Sequence, residues 1–201
     1  PSDDYQTDPD GSISIVDFSD PANPVVSTAD FTDYNGEEDA LRSQGVRIYG
    51  PDASASQDLE PEYIAVSADG ATAWVTLQEN NALAIIDIAT ASVTDIVTLG
   101  ETDRSIAGNG IDASDDDEVI DIKTFAGVVG LYLPDSIHGY TVNGKTYLVT
   151  ANEGDARAWG EDNDAYWGEE ADEDAVPPVA CMPDASQGFV GEFRVKHLVH
   201  N

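Results

Sequence analysis

Pro61-Glu62-Tyr63-Ile64 leads through Gly70 to Thr72-Ala73-Trp74-Val75-Thr76 and the pair Glu79-Asn80. The same succession returns as Pro134-Asp135-Ser136-Ile137, Gly144, Thr146-Tyr147-Leu148-Val149-Thr150 and Asn152-Glu153. From Pro61 to Pro134 the offset is 73 residues. A second echo lies beside it. Ser12-Ile13-Ser14-Ile15-Val16-Asp17 matches Ala82-Leu83-Ala84-Ile85-Ile86-Asp87, 70 residues on. Two independent echoes at nearly one period mean a repeated supersecondary unit, and a repeat decides architecture before other signals do.

Each unit reads as antiparallel strands. Tyr63–Ser67 ends at the Ala-Asp-Gly turn of Gly70, Thr72–Leu77 follows, Ala82–Ile88 comes after the polar Gln78-Glu79-Asn80-Asn81, and Ser92–Leu99 closes the group at Gly100. Short apolar runs joined by Asp-Gly or Asn-Gly are strong hairpin signals, and Asn143-Gly144 is such a pair because both residues tolerate φ > 0. The expected class is therefore all-β, a β-propeller of four-stranded antiparallel blades, of which residues 1–201 make two to three. Thr72–Leu77 is expected to be equivalent to Thr146–Ala151, and Ser12–Asp17 to Ala82–Asp87. Blades usually recur at about 40–50 residues, so the longer period calls for insertions. Polar, acidic stretches at 32–60, 101–118 and 158–193 supply them. Helix is expected only at Glu37–Gln44. Such a stack needs neighbours, so the ring is expected to be completed by further chain after Asn201 or by another chain. Pro1 reads as a processed or truncated end. Alone, residues 1–201 are expected to aggregate or stay partly unfolded.

Charge narrows the surroundings. Forty Asp and Glu stand against eight Lys and Arg, for a formal net charge of −32. That field repels nucleic acid and anionic membranes and attracts cations. It fits both a solvated acidic surface adapted to brine or sea water and a specific acidic binding surface. No apolar run approaches the roughly 18 residues of a membrane span. Residues 158–193 hold ten acidic residues and no basic one, and read as an extended loop. Cys181 is the single cysteine, which leaves a disulfide to a residue elsewhere or a free thiol.

Hard-cation chemistry is the candidate site chemistry. Calcium takes six to eight oxygens, which carboxylates interleaved with Gly, Asn and Ser in loops can supply. The candidate metal residues are Asp112, Asp115 and Asp117 on one loop, with Asp116 beside them, and Asn152, Glu153 and Asp155 at a turn. Asp8, Asp10 and Ser12 form a third, weaker group, because Ser19 stands where a bidentate acid would close the loop. For each group a solvated acidic loop is the competing reading, and Arg157 can pair Asp155 locally. Asp135-Ser136 superficially resembles a phosphatase nucleophile pair, yet the repeat sets it where Glu62-Tyr63 stands, at the start of a strand. There is no Gly-x-Ser-x-Gly, His-x-x-x-His or Cys-x-x-Cys spacing. His138, His197 and His200 do not cluster, and His138 reads as a packed or rim residue.

Longer stretches resemble a known family. Leu59-Glu60-Pro61-Glu62-Tyr63-Ile64-Ala65-Val66-Ser67, Val75-Thr76-Leu77-Gln78-Glu79-Asn80-Asn81-Ala82, Gly108-Asn109-Gly110-Ile111-Asp112-Ala113-Ser114-Asp115 and Thr146–Arg157 are similar to bacterial choice-of-anchor I domain proteins. So is the closing Phe193-Arg194-Val195-Lys196-His197-Leu198-Val199. The resemblance runs from about Ser12 to Val199. It implies a secreted or surface-displayed β-propeller more than twice this length, held by one of several C-terminal anchoring signals. Some relatives are named atypical alkaline phosphatases, and others resemble the mesenchyme-specific cell-surface glycoprotein. The 158–193 stretch is longer and more acidic than is usual for the family. Two function classes follow. One is an extracellular or cell-surface binding and structural module stabilised by calcium, with an extracellular ligand or surface assembly as partner. The other is a calcium-dependent phosphoesterase, a phosphoric monoester hydrolase, in which calcium would orient phosphate oxygens and activate water.

Overall fold

The computed structural model describes residues 9–48, 50, 52–114 and 118–154. Its strands are β1 (Ser12–Asp17), β2 (Val25–Asp30), β3 (Pro61–Val66), β4 (Thr72–Leu77), β5 (Ala82–Asp87), β6 (Ser92–Thr98), β7 (Glu101–Asp103), β8 (Val129–Leu131), β9 (Pro134–Val142) and β10 (Lys145–Asn152). The described chain is mostly antiparallel β. Two short helices, α1 (Glu38–Ser43) and α2 (Ala55–Asp58), follow a 3₁₀ turn at Thr32–Tyr34. The helix expected at Glu37–Gln44 is thus present as α1, and α2 was not legible.

The centre is one four-stranded sheet in the order β3-β4-β5-β6. Its turns form where the sequence placed them. At Gly70 (φ +73°) the Asp69 carboxylate accepts from Ser67 Oγ at 2.7 Å and from the Ala71 amide at 3.1 Å. Asn143 (φ +52°) and Gly144 (φ +74°) close the β9–β10 hairpin, the backbone that a type I′ turn requires.

Period-two patterning splits the central sheet into two buried faces. Ala73, Val75 and Leu77 of β4 and Ala82, Ala84 and Ile86 of β5 lie on one face, in a core with Ile13 of β1, Ala29 of β2 and Phe31. Trp74 and Leu83 turn the other way, with Ala65, into a smaller core that holds Ile137 of β9 and Leu148 of β10. The β1–β2 and β9–β10 hairpins therefore cover opposite faces of the central sheet. Three sheets are stacked in this body, whose described residues fall within 1–102 and 130–160, and among those residues no closed ring is seen.

One four-stranded sheet lies between two two-stranded ones, and in sequence β1–β2 match β5–β6 and β9–β10 match β3–β4. Matching the sequences letter for letter misleads in one place. Thr72–Leu77 aligned on Thr146–Ala151 equates Trp74 with Leu148, yet both side chains meet in the same inter-sheet core. In a stack of equivalent sheets, the face β9–β10 turns to the central sheet corresponds to the face the central sheet turns to β1–β2. That is the face of Ala73 and Val75, and the ladders match Leu148, opposite Gly139, with Ala73, opposite Val66. A one-residue slip exchanges faces, and packing of Ile137 and Leu148 decides the slip here. Register irregularities sit at Pro61/Ile64 in β3 and Thr150/Asn152 in β10.

The stretch 32–60 is more than a polar insert. Leu41, Val46, Ile48, Ala55 and Leu59 are all buried in the main core. Their burial follows from α1 and α2 lying against the central sheet, with Thr98 Oγ1 donating to the Gly45 carbonyl at 3.1 Å. A second unit contains residues 103–129. There Ile111 and Lys123 exchange backbone hydrogen bonds of 3.0 and 3.1 Å, and Phe125 lies under the Lys123 ammonium.

Candidate functional site

The polar link Gln78–Asn81, between β4 and β5, organises one end of the sheet. Asn80 is fully buried. Its Nδ2 donates to the carbonyls of Arg47 and Asp58, both at 2.8 Å, and to Asp58 Oδ2 at 3.0 Å. Its Oδ1 accepts from the Glu60 amide, and Arg47 donates to the Glu79 carbonyl at 3.0 Å. Asn81 is equally buried. Its Oδ1 accepts from the amides of Tyr132 and Leu133 at 3.0 and 3.1 Å, and its Nδ2 donates to the Gly100 carbonyl at 2.7 Å. Two adjacent asparagines thus tie residues 47–60 and 132–133 to the sheet. Burial of so many amides is tolerated because every one is hydrogen-bonded.

Above this hub three carboxylates converge. Glu60, Glu62 and Glu79 present oxygens within 4.8 Å of one another. Glu60 and Glu62 flank Pro61 at the start of β3, and Glu79 follows β4. The three meet because those two strand ends are adjacent in the ladder, with Pro61 opposite Leu77. Partial desolvation raises the pKa of the Glu62 carboxyl above 4.5, and the charges of Glu79 and Asp135 push the same way. Asp135 is held nearby at the start of β9, where Thr76 Oγ1 donates to its carbonyl at 2.6 Å. Thr76 also accepts from the Tyr63 amide at 2.9 Å.

This carboxylate group was missed from sequence, although its signal was there. Glu62 and Glu79 recur in the repeat as Asp135 and Glu153. Of the residues singled out in advance, Glu153 sits just after β10, its amide donating to the Leu133 carbonyl at 3.2 Å. Asn152 Oδ1 accepts from Thr150 Oγ1 at 2.8 Å. Asp112, in the second unit, accepts from the Asp121 amide at 3.0 Å and more weakly from that of Ser114 at 3.5 Å. Its carboxylate thus serves as a loop clasp, and Lys123 reaches Asp121 at 2.7 Å. Asp115, Asp117 and Asp155 lie outside the described residues, as do Asp8, Arg157, Cys181, His197, His200 and the 158–193 stretch. Asp10 accepts from Ser56 Oγ at 2.7 Å. His138 is exposed in β9, opposite Val149.

One groove, lined by Tyr34, Leu41, Asp95 and Ile96, encloses about 160 Å³, below the roughly 300–1,000 Å³ of small-molecule sites, and a shallower, more open one beside Glu38, Asp39, Arg42 and Ser54 spans about 470 Å³. Burial, with Asp95 and Asp33 nearby, raises the Tyr34 phenol pKa. Among the described residues no helix is long and apolar enough to cross a membrane.

The choice-of-anchor I domain profile matches residues 1–191, which is nearly the whole chain. The chain belongs to the choice-of-anchor I domain family. No curated protein and no solved structure matches it. For this choice-of-anchor I domain, membership points to a surface-associated module, and it assigns neither a catalytic residue nor a bound ion.

Proposed function

We propose that this domain is a secreted or surface-displayed binding and structural module, built from stacked four-stranded β-blades and stabilised by calcium. The observation that carries the reading is family membership across residues 1–191, in a family whose members share a domain and differ in how it is anchored. The sheet stack supports it. Two faces of the central sheet are buried by neighbouring hairpins, as radially packed blades require, and the β1–β2 and β9–β10 hairpins are then halves of adjoining blades. On this reading residues 1–201 form part of a propeller, with the stretch 32–60 set between its strands.

Calcium enters through electrostatics. A net charge of −32 is self-repulsive, and a divalent cation bound to the folded state relieves it. Asp112 with Asp115 and Asp117, and Asn152 with Glu153 and Asp155, are the proposed ligand groups. No observation favours the phosphoesterase alternative: Asp135 and Ser136 begin a β-strand, and the Asp135 carbonyl is engaged by Thr76.

Two measurements test the proposal. Protease shaving or antibody labelling of intact cells should reach the domain, and protection on intact cells would refute a surface location. Millimolar calcium should raise the Tm above the effect of magnesium at matched ionic strength. Asp112→Asn or Glu153→Gln should blunt the gain. Equal stabilisation by any salt would remove calcium from the proposal.

A further inference from the structure

Asn-Gly occurs at three places in the chain, Asn35-Gly36, Asn109-Gly110 and Asn143-Gly144. The pair is chemically distinctive. The main-chain nitrogen that follows an asparagine lies within reach of the side-chain carbonyl, and a glycine has no Cβ to shield that nitrogen or to restrict its approach. Whether the two groups react depends on how firmly the fold holds each of them. The three pairs are held very differently.

At the first pair both reacting groups are engaged. Asn35 Oδ1 accepts from the Ser56 amide at 2.9 Å, and the Gly36 amide donates to Glu38 Oε1 at 3.0 Å. The same Glu38 oxygen accepts from the Ala55 amide at 2.9 Å, so the loop is clamped to α2. At the second pair, in the unit that contains residues 103–129, Asn109 Nδ2 donates to the Asp103 carbonyl at 3.0 Å. Gly110 is backed by the Lys123 main chain, whose carbonyl oxygen would lie 3.0 Å from an added Cβ. The third pair is different. Among the described residues neither the Asn143 side chain nor the Gly144 amide makes a hydrogen bond. These two residues are the whole loop between Val142 and Lys145, the terminal pair of the β9–β10 ladder, where local opening needs the least free energy.

We propose that Asn143 is a site of self-modification, deamidating through a succinimide, while the fold protects Asn35 and Asn109. The Gly144 amide nitrogen loses its proton to solvent and bonds to the Asn143 side-chain carbonyl carbon. The bond from that carbon to Nδ2 breaks, and Nδ2 takes a proton from solvent and leaves as ammonia. Water then adds to either carbonyl of the ring and opens it to isoaspartate or aspartate. One water is consumed and one ammonia released, and nothing is oxidised. Aspartate still suits the positive φ of this turn. Isoaspartate lengthens the main chain by a methylene in a loop of two residues, which a type I′ turn cannot absorb. Both products add a negative charge two residues from Lys145. The inference rests on neither calcium nor surface display.

The test holds the intact, full-length protein at mildly alkaline pH and follows each Asn-Gly peptide by mass spectrometry that separates aspartate from isoaspartate. Each hydrogen bond that must first break slows the reaction by about fivefold. Asn143 should therefore convert about fivefold faster than Asn109, and faster still relative to Asn35, where two bonds must go. In concentrated urea the three rates should converge, because the sequence Asn-Gly is then common to all and the fold is gone. Ion-exchange chromatography should show an acidic species growing in with the Asn143 product. Asn143→Gly, which keeps the positive φ of the turn, should suppress that species. Conversion of Asn35 or Asn109 ahead of Asn143 overturns the inference, as does an Asn143 that stays intact in the folded protein. A rate order that survives in urea also overturns it, since protection by the fold would then explain nothing.

Discussion

Replacing Asn81 tests the hub at its most exacting point. The residue is 1% exposed and left-handed at φ +52°. Its side chain accepts from the amides of Tyr132 and Leu133 and donates to the Gly100 carbonyl. Asn81→Ala strands the buried Leu133 amide, at about 1–3 kcal/mol, and forfeits two better-solvated hydrogen bonds at about 1 kcal/mol each. It also sets a Cβ without a local hydrogen bond at positive φ, about 1 kcal/mol more. The expected loss is about 4 kcal/mol, nearly three decades in the unfolding constant. Asn81→Gly removes the hydrogen bonds but not the conformational freedom, and should recover about 1 kcal/mol of that loss. Urea unfolding followed by tryptophan fluorescence reads both as a lower midpoint at constant slope. Hydrogen exchange locates the effect, because the Tyr132 and Leu133 amides should lose protection first. A loss below about 1 kcal/mol for Asn81→Ala, or unchanged protection at those amides, would refute the reasoning.

Two further outcomes are expected. Glu62 has its pKa raised in the fold above 4.5, so its contribution is fully present below that pH and is lost as pH rises through the folded value. Glu62→Gln should therefore stabilise the protein at neutral pH and make no difference below about 4.5, as thermal melts across pH will show; destabilisation at pH 7 would contradict it. Leu59→Ala should cost about 2–5 kcal/mol as a fully buried leucine, whereas Val26→Ala on the exposed face of β2 should stay within about 0.5 kcal/mol. Comparable small effects at both sites would mean that the 32–60 stretch is peripheral after all.

The hairpins were legible because their chemistry is local. Asn143-Gly144 and Asp69-Gly70 demand positive φ, and alternation within Thr72–Leu77 and Ala82–Asp87 fixes which residues share a face. The core role of 32–60 was not legible. Its buried residues Leu41, Val46, Ile48, Ala55 and Leu59 are spaced irregularly among Gly, Ser and Asp, so no period announces them, and their burial depends on a sheet formed elsewhere in the chain. Asn80 and Asn81 failed for a related reason. A polar quartet between two strands looks like a solvated turn, and only the arrival of residues 47–60 and 132–133 turns it into a buried hub.

The carboxylate group teaches a different point about repeats. Aligning the two copies by letter finds the strands but sets β10 one residue out of phase with its packing, because strand identity rests on β-propensity while phase rests on which side chains have a neighbouring sheet to meet. Leu148 is inward because Trp74 and Ile137 wait there, whatever the alignment says. Glu62 with Glu79 and Asp135 with Glu153 escape this ambiguity because they sit at strand ends, where a slip changes no face. Acidic pairs at equivalent strand ends of successive sheets bring like charges to one end of the stack, and the Glu62 carboxyl, raised first by desolvation and then by Glu79, is raised further by Asp135 of the next sheet. The charge is therefore coupled between sheets by the architecture, and Asp135→Asn should lower the raised pKa of Glu62, which a pH titration of stability would show as a shift of the Glu62→Gln effect to lower pH.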